Sequence, residues 1–345
     1  MEMKELFERI GRLSPDRAIK ILTVLDGSCA GEKAILEDGS LLWESVEKGF
    51  FTRHVKMLTG REGYGQIQIG TSRVFCDTVS EESHLVICGG GHVSIPVIRI
   101  GVMMGWHVTV LEDRPKFADH ARYAGAQEVI CMPFAEALNQ IEGSRHTYFV
   151  ILTRGHRYDQ ECLEKIIEKR HAYIGMIGSR RRSALVKQNL IAKGCSREVL
   201  EEVASPIGLD IGAETPEEIG VAIAAELIER KNKNGCPYGY PKEILQALQS
   251  EEACSGPEVL VTIVSRKGSA PRGTGTKMLI SADGKTVGTI GGGCMEAEIL
   301  QRAFLMMREG KGEERELFWV DMRNEDAEEE GMVCGGTVEI LMEKI

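Results

Sequence analysis

Two cysteines set in glycine-rich turns are the residues of this chain best suited to soft, sulfur-centred chemistry. Cys294 closes the run Gly291-Gly-Gly-Cys294 ahead of a helical stretch over Met295–Met307, and Cys334 lies inside Gly331-Met-Val-Cys-Gly-Gly336. Backbone N–H groups at a helix N-terminus favour a thiolate, which is a nucleophile and a soft metal ligand. Glu296 and Glu298 oppose that shift, and the plain alternative is a pair of cysteines buried beside tight turns. Just upstream, Gly268-Ser-Ala-Pro-Arg-Gly-Thr-Gly-Thr276 carries one charged side chain among small ones. Such a loop presents backbone N–H groups to an anion, with Arg272 and Gly273 as its candidate contacts.

A second constellation lies in the middle of the chain. In Leu85-Val-Ile-Cys-Gly-Gly-Gly-His-Val-Ser94 the order Gly89-x-Gly91-x-x-Ser94 follows a strand and opens a helix. Gly89 suits the tight turn, Gly91 lets a pyrophosphate approach the backbone, and His92 stands at the helix start. Pro96 requires that the helix begin near Gly91 or His92. The next strand ends at Glu112-Asp113, where an acidic side chain takes ribose hydroxyls; Arg114 beside it leaves NADP as open as NAD. Two more loops follow strand ends: Thr153-Arg-Gly-His-Arg-Tyr-Asp159 and Gly178-Ser-Arg-Arg-Arg182. In the first, Arg154 is a candidate cofactor contact and His156 with Asp159 could orient a proton-transfer group. In the second, Ser179 and Arg180 are suited to a phosphate. A surface loop and a solvated basic helix start are the bland alternatives.

These loops need elements to hold them. Short apolar runs at His84–Cys88, Trp106–Leu111, Glu128–Met132, Thr147–Leu152 and Ala172–Ile177 alternate with helical stretches, the signature of a parallel sheet covered by helices. Thr215 and Glu218 form a capping box for a helix over Glu217–Arg230, and a short helix is expected near Glu243–Ser250. The flanking blocks repeat one another. Ile21–Leu25, Gly27-Ser28, Lys33–Leu36 and Asp38-Gly39 match Leu260–Val264, Gly268-Ser269, Lys277–Ile280 and Asp283-Gly284; strand-like runs at Arg73–Val79 and Thr337–Met342 end the copies. Only the second copy has the glycine-cysteine turns. The fold class is therefore α/β: a central Rossmann-type doubly wound parallel sheet flanked by two repeat-related, small, strand-rich α+β segments. The boundaries are a leading segment over 1–80, a nucleotide-binding domain over 81–231, a linker over 232–257 and the glycine-cysteine domain over 258–345.

Bulk properties limit the function. A net charge of −10 argues against a nucleic-acid partner. The apolar stretch Leu85–Leu111 contains Arg99, Pro96 and three glycines, so it reads as strand, turn, helix and strand, with no membrane span. The charged start MEMKELFERIGRL is an amphipathic helix and not a signal peptide, and the ten cysteines form no C-x-x-C pair. A cytoplasmic location with free thiols follows. The eight histidines show no ligand-like spacing, so no metal site is expected.

At these residues the chain resembles the XdhC/CoxI family, the accessory proteins of xanthine dehydrogenase and carbon monoxide dehydrogenase. The matching segments are Gly268–Leu279, Gly288–Cys294, Val333–Gly336, Cys88–Val93, Glu112–Pro115, Thr153–His156, Gly178-Ser179 and Ile207–Glu218. The common family order places the glycine-cysteine domain first, whereas here the intact copy follows the Rossmann part. The resemblance implies a chaperone more than a turnover enzyme. It would bind molybdenum cofactor (molybdopterin), help exchange an oxo ligand for sulfur, and deliver the cofactor to a molybdenum hydroxylase subunit, with a cysteine desulfurase as a further partner. It makes Cys294 and Cys334 the candidate catalytic thiols and contacts to the cofactor's molybdenum. Arg272 and Lys277 would meet its phosphate, and Gly292 and Gly293 would line the site. An NAD(P)-dependent oxidoreductase and a non-catalytic nucleotide-sensing module remain open, as does a homodimer.

Overall fold

In a computed structural model, residues 2–13, 17–58, 63–79, 83–233, 239–249, 256–270, 272–291, 293–308, 314–321 and 336–345 are described. They fall into two compact units, one made of Met1–Glu81 with Gly235–Ile345, the other of Glu82–Asn234.

The first unit holds both flanking segments. In the leading one, β1 (Ile19–Val24), β2 (Lys33–Glu37), β3 (Ser40–Glu44), β4 (Gly65–Ile69) and β5 (Ser72–Thr78) form an antiparallel sheet in the order β3-β2-β1-β5-β4. The central unit contributes β6 (His84–Cys88), β7 (His107–Glu112), β8 (Glu128–Cys131), β9 (Thr147–Ile151) and β10 (Tyr173–Met176). The closing segment then forms β11 (Glu258–Lys267), β12 (Lys277–Ser281), β13 (Thr286–Gly288), β14 (Arg315–Asp321) and β15 (Thr337–Lys344), in the order β13-β12-β11-β15-β14. The two flanking sheets thus have the same strand order, and the internal repeat is structural. β4 and β14 are the strands that sequence pattern does not separate.

The registers make the copies equivalent residue by residue. Thr23 lies opposite Lys33 as Thr262 lies opposite Lys277, and Ile21 opposite Asp77 as Leu260 opposite Glu343. Gly31 N–H donates to the Val24 carbonyl at 2.8 Å, and its counterpart Gly275 donates to Ile263 at 2.7 Å. Each buried lysine then finds its counter-ion in the other copy. Lys33 Nζ lies 2.9 Å from Glu343 Oε1 and donates to Thr23 Oγ1 at 2.9 Å; Lys277 Nζ is paired with Asp77 and donates to the Gly275 carbonyl at 3.1 Å. Arg73 and Glu339, which also occupy equivalent positions, face each other at 2.8 Å, with Asp26 holding Arg73 from the far side at 2.7 Å.

Burial pushes the Asp77 carboxyl up and the Lys277 ammonium down, and each partner opposes the other's shift. Apolar residues surround the pairs: Ile21, Ile35, Leu260 and Leu279 share one cluster with Leu6 and Phe7 of the helix Glu2–Ile10 and with Ile244 of the helix Lys242–Gln249.

The second unit is a parallel sheet in the order β10-β9-β6-β7-β8. Alternate β6 residues serve opposite cores. Val86 and Cys88 pack with Cys162, Leu163 and Val186 from the helices His156–Ile166 and Arg180–Ala192. Leu85 and Ile87 pack with Val97, Ile223 and Leu227 from the helices Ser94–Met103 and Pro216–Lys233. This two-sided burial is the reason those strands read as continuous apolar runs. The capping box is present, with Glu218 N–H donating to Thr215 Oγ1 at 3.3 Å and Thr215 N–H to Glu218 Oε2 at 3.0 Å. Among the described residues no helix is long and apolar enough to cross a membrane.

The crossed pairs give a direct stability test. Lys277→Met leaves Asp77 buried without its counter-ion and should cost about 3–5 kcal/mol in urea unfolding. Adding Asp77→Leu should recover most of that loss. A Lys277→Met variant as stable as the parent would show that the pair does not hold the sheets.

Candidate functional site

The register gathers the glycine loops of the closing segment at one end of its sheet. Lys267, the last residue of β11, pairs with Thr337, the first of β15, which pairs with Asp321, the last of β14. β12 begins at that end and β13 finishes there, with Met278 opposite Gly288. The Gly268–Thr276 loop, the turn from Thr289 to Gly293 and the chain entering β15 at Gly336 therefore leave from one edge. Gly336 is required by that crowding: a Cβ on it would lie 2.3 Å from the Ser269 carbonyl oxygen and 2.8 Å from that of Lys267.

Within this edge Arg272 is exposed. The Gly273 carbonyl accepts from Thr276 N at 3.3 Å and from Thr276 Oγ1 at 2.7 Å, which closes the loop on itself. Gly293 opens the helix Gly293–Arg308, so Cys294 stands in its first turn, while its side chain lies outside the described residues, as do Gly292 and Cys334. Glu296, read from sequence only as an opposing charge, accepts from Thr289 Oγ1 at 2.6 Å and from Ile290 N at 3.1 Å. It fixes the turn ahead of the helix. Lys277 departs from expectation. Its side chain is wholly buried on Asp77, with Nζ 4.3 Å from the Tyr240 ring centroid, so it is not on the surface to meet a phosphate.

A cavity of about 250 Å3 lies beside the loop, lined by Thr274, Gly275 and the β11 residues Val264–Arg266 and, from the leading copy, by Tyr64–Gln66 and Phe75–Asp77.

In the Rossmann unit the expected loops all lie at the carboxyl ends of the strands, where β6 and β9 neighbour one another and the chain order reverses. A Cβ on Gly89 would lie 2.4 Å from the Leu152 carbonyl oxygen, so this turn admits only glycine; one on Gly91 would meet nothing within 4 Å, leaving its face open to a ligand. The helix begins at Ser94, later than the expected start near Gly91 or His92, and Pro96 falls in its first turn, where its missing N–H is tolerated. Ser94, at the third fingerprint position, donates through Oγ to the Gly89 carbonyl at 2.6 Å and ties the turn to the helix. His92 is exposed beside it.

The acidic strand end is differently employed from the sequence expectation. Glu112 is fully buried; it accepts from Gly90 N–H at 2.7 Å and from Arg114 Nε at 2.8 Å, so it is committed within the protein and not offered to a ribose. Asp113 is clamped by Arg154, Nη1 at 2.5 Å and Nη2 at 2.8 Å, and Arg154 also stacks over Tyr158. The carboxylate of Asp159 is held mainly by groups other than His156, whose charge acts on it only as a lesser influence. Asp159 is buried, accepts from Thr153 Oγ1 at 2.5 Å and pairs with Arg182, whereas His156 is exposed at the helix start. Burial pushes the Asp159 carboxyl up, and Thr153 and Arg182 counter it. Ser179 caps the following helix by accepting from Arg182 N–H at 3.3 Å, and Arg180 is exposed next to it.

A Rossmann unit joined in one chain with a duplicated antiparallel module defines a class, and comparison with known proteins gives it a family. Residues 85–227 match the XdhC Rossmann domain and residues 254–317 the XdhC and CoxI family, together more than half of the chain. The chain belongs to the XdhC and CoxI family. It is 27% identical over 163 residues to a probable xanthine dehydrogenase subunit from Bacillus subtilis (strain 168), covering 47% of each chain. It is 33% identical over 93 residues to the molybdenum cofactor insertion chaperone PaoD of Escherichia coli (strain K12), covering 25% of this chain and 26% of that one. A solved structure of a xanthine dehydrogenase from Bacillus halodurans is 26% identical, with a TM-score of 0.51 over 64% of both chains. The chain spans less than half the length of these two curated relatives.

The Asp113–Arg154 clamp predicts a pH dependence. The Arg154 hydrogen bonds hold the Asp113 carboxyl below its ordinary value of 3.8. A depressed carboxylate contributes stability that is fully present above its unfolded value and is lost as pH falls through the lower folded one. Asp113→Asn should therefore melt below the parent near neutral pH, with the gap closing as the solution is taken below 3.8. A gap that stays constant with pH in circular-dichroism melts would assign the effect to something other than the clamp.

Proposed function

We propose that this chain is an accessory factor for a molybdenum hydroxylase of the xanthine dehydrogenase type, which binds molybdenum cofactor as cargo and assists its sulfuration or insertion. The observation that carries this reading is the gathering of the glycine loops at one end of the β11–β15 sheet. Arg272 is an exposed cation on one of them, and Cys294 stands in the first turn of the helix that follows another. An anionic, sulfur-rich cargo fits that donor set: a guanidinium and backbone N–H groups suit its phosphate, and soft thiols suit its metal end. The role of Cys334 rests on its place in the third glycine run. The names of the relatives support the same direction, one being an insertion chaperone for this cofactor.

Cys294 and Cys334 would contact the metal end of the cargo, and Arg272, with Gly273, Gly292 and Gly293, would hold its phosphate end. The hydroxylase would receive it, and a cysteine desulfurase would supply sulfur. The Rossmann loops at Gly89–Gly91 would take a phosphorylated ligand through the open face of Gly91. Because Glu112 and Asp113 are engaged internally, that ligand need not be NAD(P), whose ribose hydroxyls ordinarily bond to such an acid.

Purified protein incubated with released molybdenum cofactor should retain molybdopterin, and the Cys294→Ser/Cys334→Ser variant should lose most of it. Equal retention by both proteins would remove the thiols from the site. No retention by either would reject the carrier reading.

A further inference from the structure

At the other end of the closing sheet, away from the glycine loops, lies a larger cavity of about 640 Å3. β14 starts at Arg315, opposite Glu343, and runs seven residues to Asp321. At the usual rise of a strand, about 20 Å therefore separates Arg315 from the end that carries the loops. The cavity is formed by both copies: the short loop and β3 of the leading one meet the starts and ends of β14 and β15.

Most of its charges are already employed. The buried Lys33–Glu343 pair forms a neutral floor. Glu32 accepts from Phe50 N–H at 2.6 Å, where the short helix Phe50–Arg53 begins. Glu314 is exposed at the rim, and Lys344 follows Glu343 on β15, so strand alternation directs it to the other face.

Two donors remain without acceptors among the described residues. Arg315 is half-buried, and no carboxylate described here pairs with it. A Cβ on Gly31 would collide with Arg315 Nη1, so the guanidinium rests in the space this glycine leaves beside the loop. Ser45 accepts from Lys33 N–H through Oγ at 2.9 Å, which leaves its hydroxyl proton to donate. Trp43, Met3 and Val46 give the same cavity an apolar side.

The repeat separates Arg315 from the frame. Lys33 and Lys277, and likewise Asp77 and Glu343, are charged in both copies, whereas the counterpart of Arg315, one residue ahead of Gly65, is the uncharged Tyr64. The loop also limits what the cation can bind. N–H groups of Ala30, Gly31 and Glu32 donate to the carbonyls of Gly27, Val24 and Cys29 at 3.2, 2.8 and 3.0 Å, so they make no cradle for a phosphate. One planar guanidinium and one hydroxyl suit a carboxylate.

We propose that this cavity binds a small carboxylate with an aromatic or other apolar body, its carboxylate on Arg315 and Ser45 and its body along Trp43. A volume of about 640 Å3 lies within the ~300–1,000 Å3 of small-molecule sites. The site goes beyond the carrier reading and does not depend on it, since such a ligand has neither phosphate nor metal.

The test uses the full chain with cinnamate as the probe, measured by equilibrium dialysis. Arg315→Gln should weaken binding by about tenfold or more, the loss of a charge-assisted contact to a carboxylate. Cinnamamide, which keeps the body and lacks the charge, should bind the parent more weakly and distinguish it far less from Arg315→Gln. Arg272→Gln, at the glycine loops, should bind cinnamate as the parent does. A readout on the unmodified protein is independent of how the variants fold: cinnamate should slow the modification of Arg315 by phenylglyoxal, followed by peptide mass. Absence of that protection, no binding by the parent, undiminished binding by Arg315→Gln, or a loss confined to Arg272→Gln would each overturn the proposal. So would phenyl phosphate binding more tightly than cinnamate, which would make the site one for phosphate.

Discussion

Two lysines buried between two sheets, each neutralised by a carboxylate from the opposite sheet, set the conditions for everything else in the first unit. A cation removed from water is tolerated only beside a counter-ion and hydrogen-bond acceptors, so the sheets cannot part or slide without stranding charge. Lys277 stands immediately after the Gly268–Thr276 loop and accepts restraint from Asp77 and from the Gly275 carbonyl. The loop's C-terminal stem is thereby anchored to the other copy. At its far end, Gly336 lies against the Ser269 carbonyl oxygen, and between them the loop is held by Thr276 and Gly273. Charge fixes the frame, and close backbone packing fixes what the frame carries.

The Rossmann unit shows a related economy of acidic groups. Glu112 and Asp113 stand where the strand pattern puts them, but Glu112 closes back on the glycine turn and Asp113 on Arg154. The glycine turn is consequently braced from two directions, by Glu112 through Gly90 N–H and by Ser94 through the Gly89 carbonyl. On the function proposed above, such a turn would offer an anion the open face of Gly91, with less provision for a ribose. Asp159 follows the same pattern: its partners Thr153 and Arg182 join the loops after β9 and β10 into one rigid edge.

Much of this is legible in the sequence wherever the signal is local. The strands β6 to β10 declare themselves as apolar runs because both of their faces are covered, and Thr215 with Glu218 announces a helix start because a capping box is complete within four residues. The repeat is visible because strand, turn and strand recur with the same spacing. β4 and β14 do not stand out, since Gly65–Ile69 alternates glutamine with isoleucine and is half-exposed, and Arg315–Asp321 is similarly half-buried. Lys277 and Asp77 lie 200 residues apart in the chain, and no periodicity encodes such a partnership. The one available sign is an isolated charge within an otherwise apolar strand, at Lys33, Asp77, Lys277, Glu339 and Glu343 alike. Charges of that kind have to be paired, and the sequence shows which residues need a partner without showing which partner each one finds.

The meeting of Arg73 with Glu339 has a further consequence. The two residues hold the same place in their respective copies, so in an assembly of two identical halves each would confront itself, arginine against arginine or glutamate against glutamate. In one polypeptide the two equivalent positions can carry unlike residues, arginine on one side and glutamate on the other. A copy of either half paired with its own duplicate would set like charge against like at this point, so the tether makes possible a contact that a symmetric assembly would forbid.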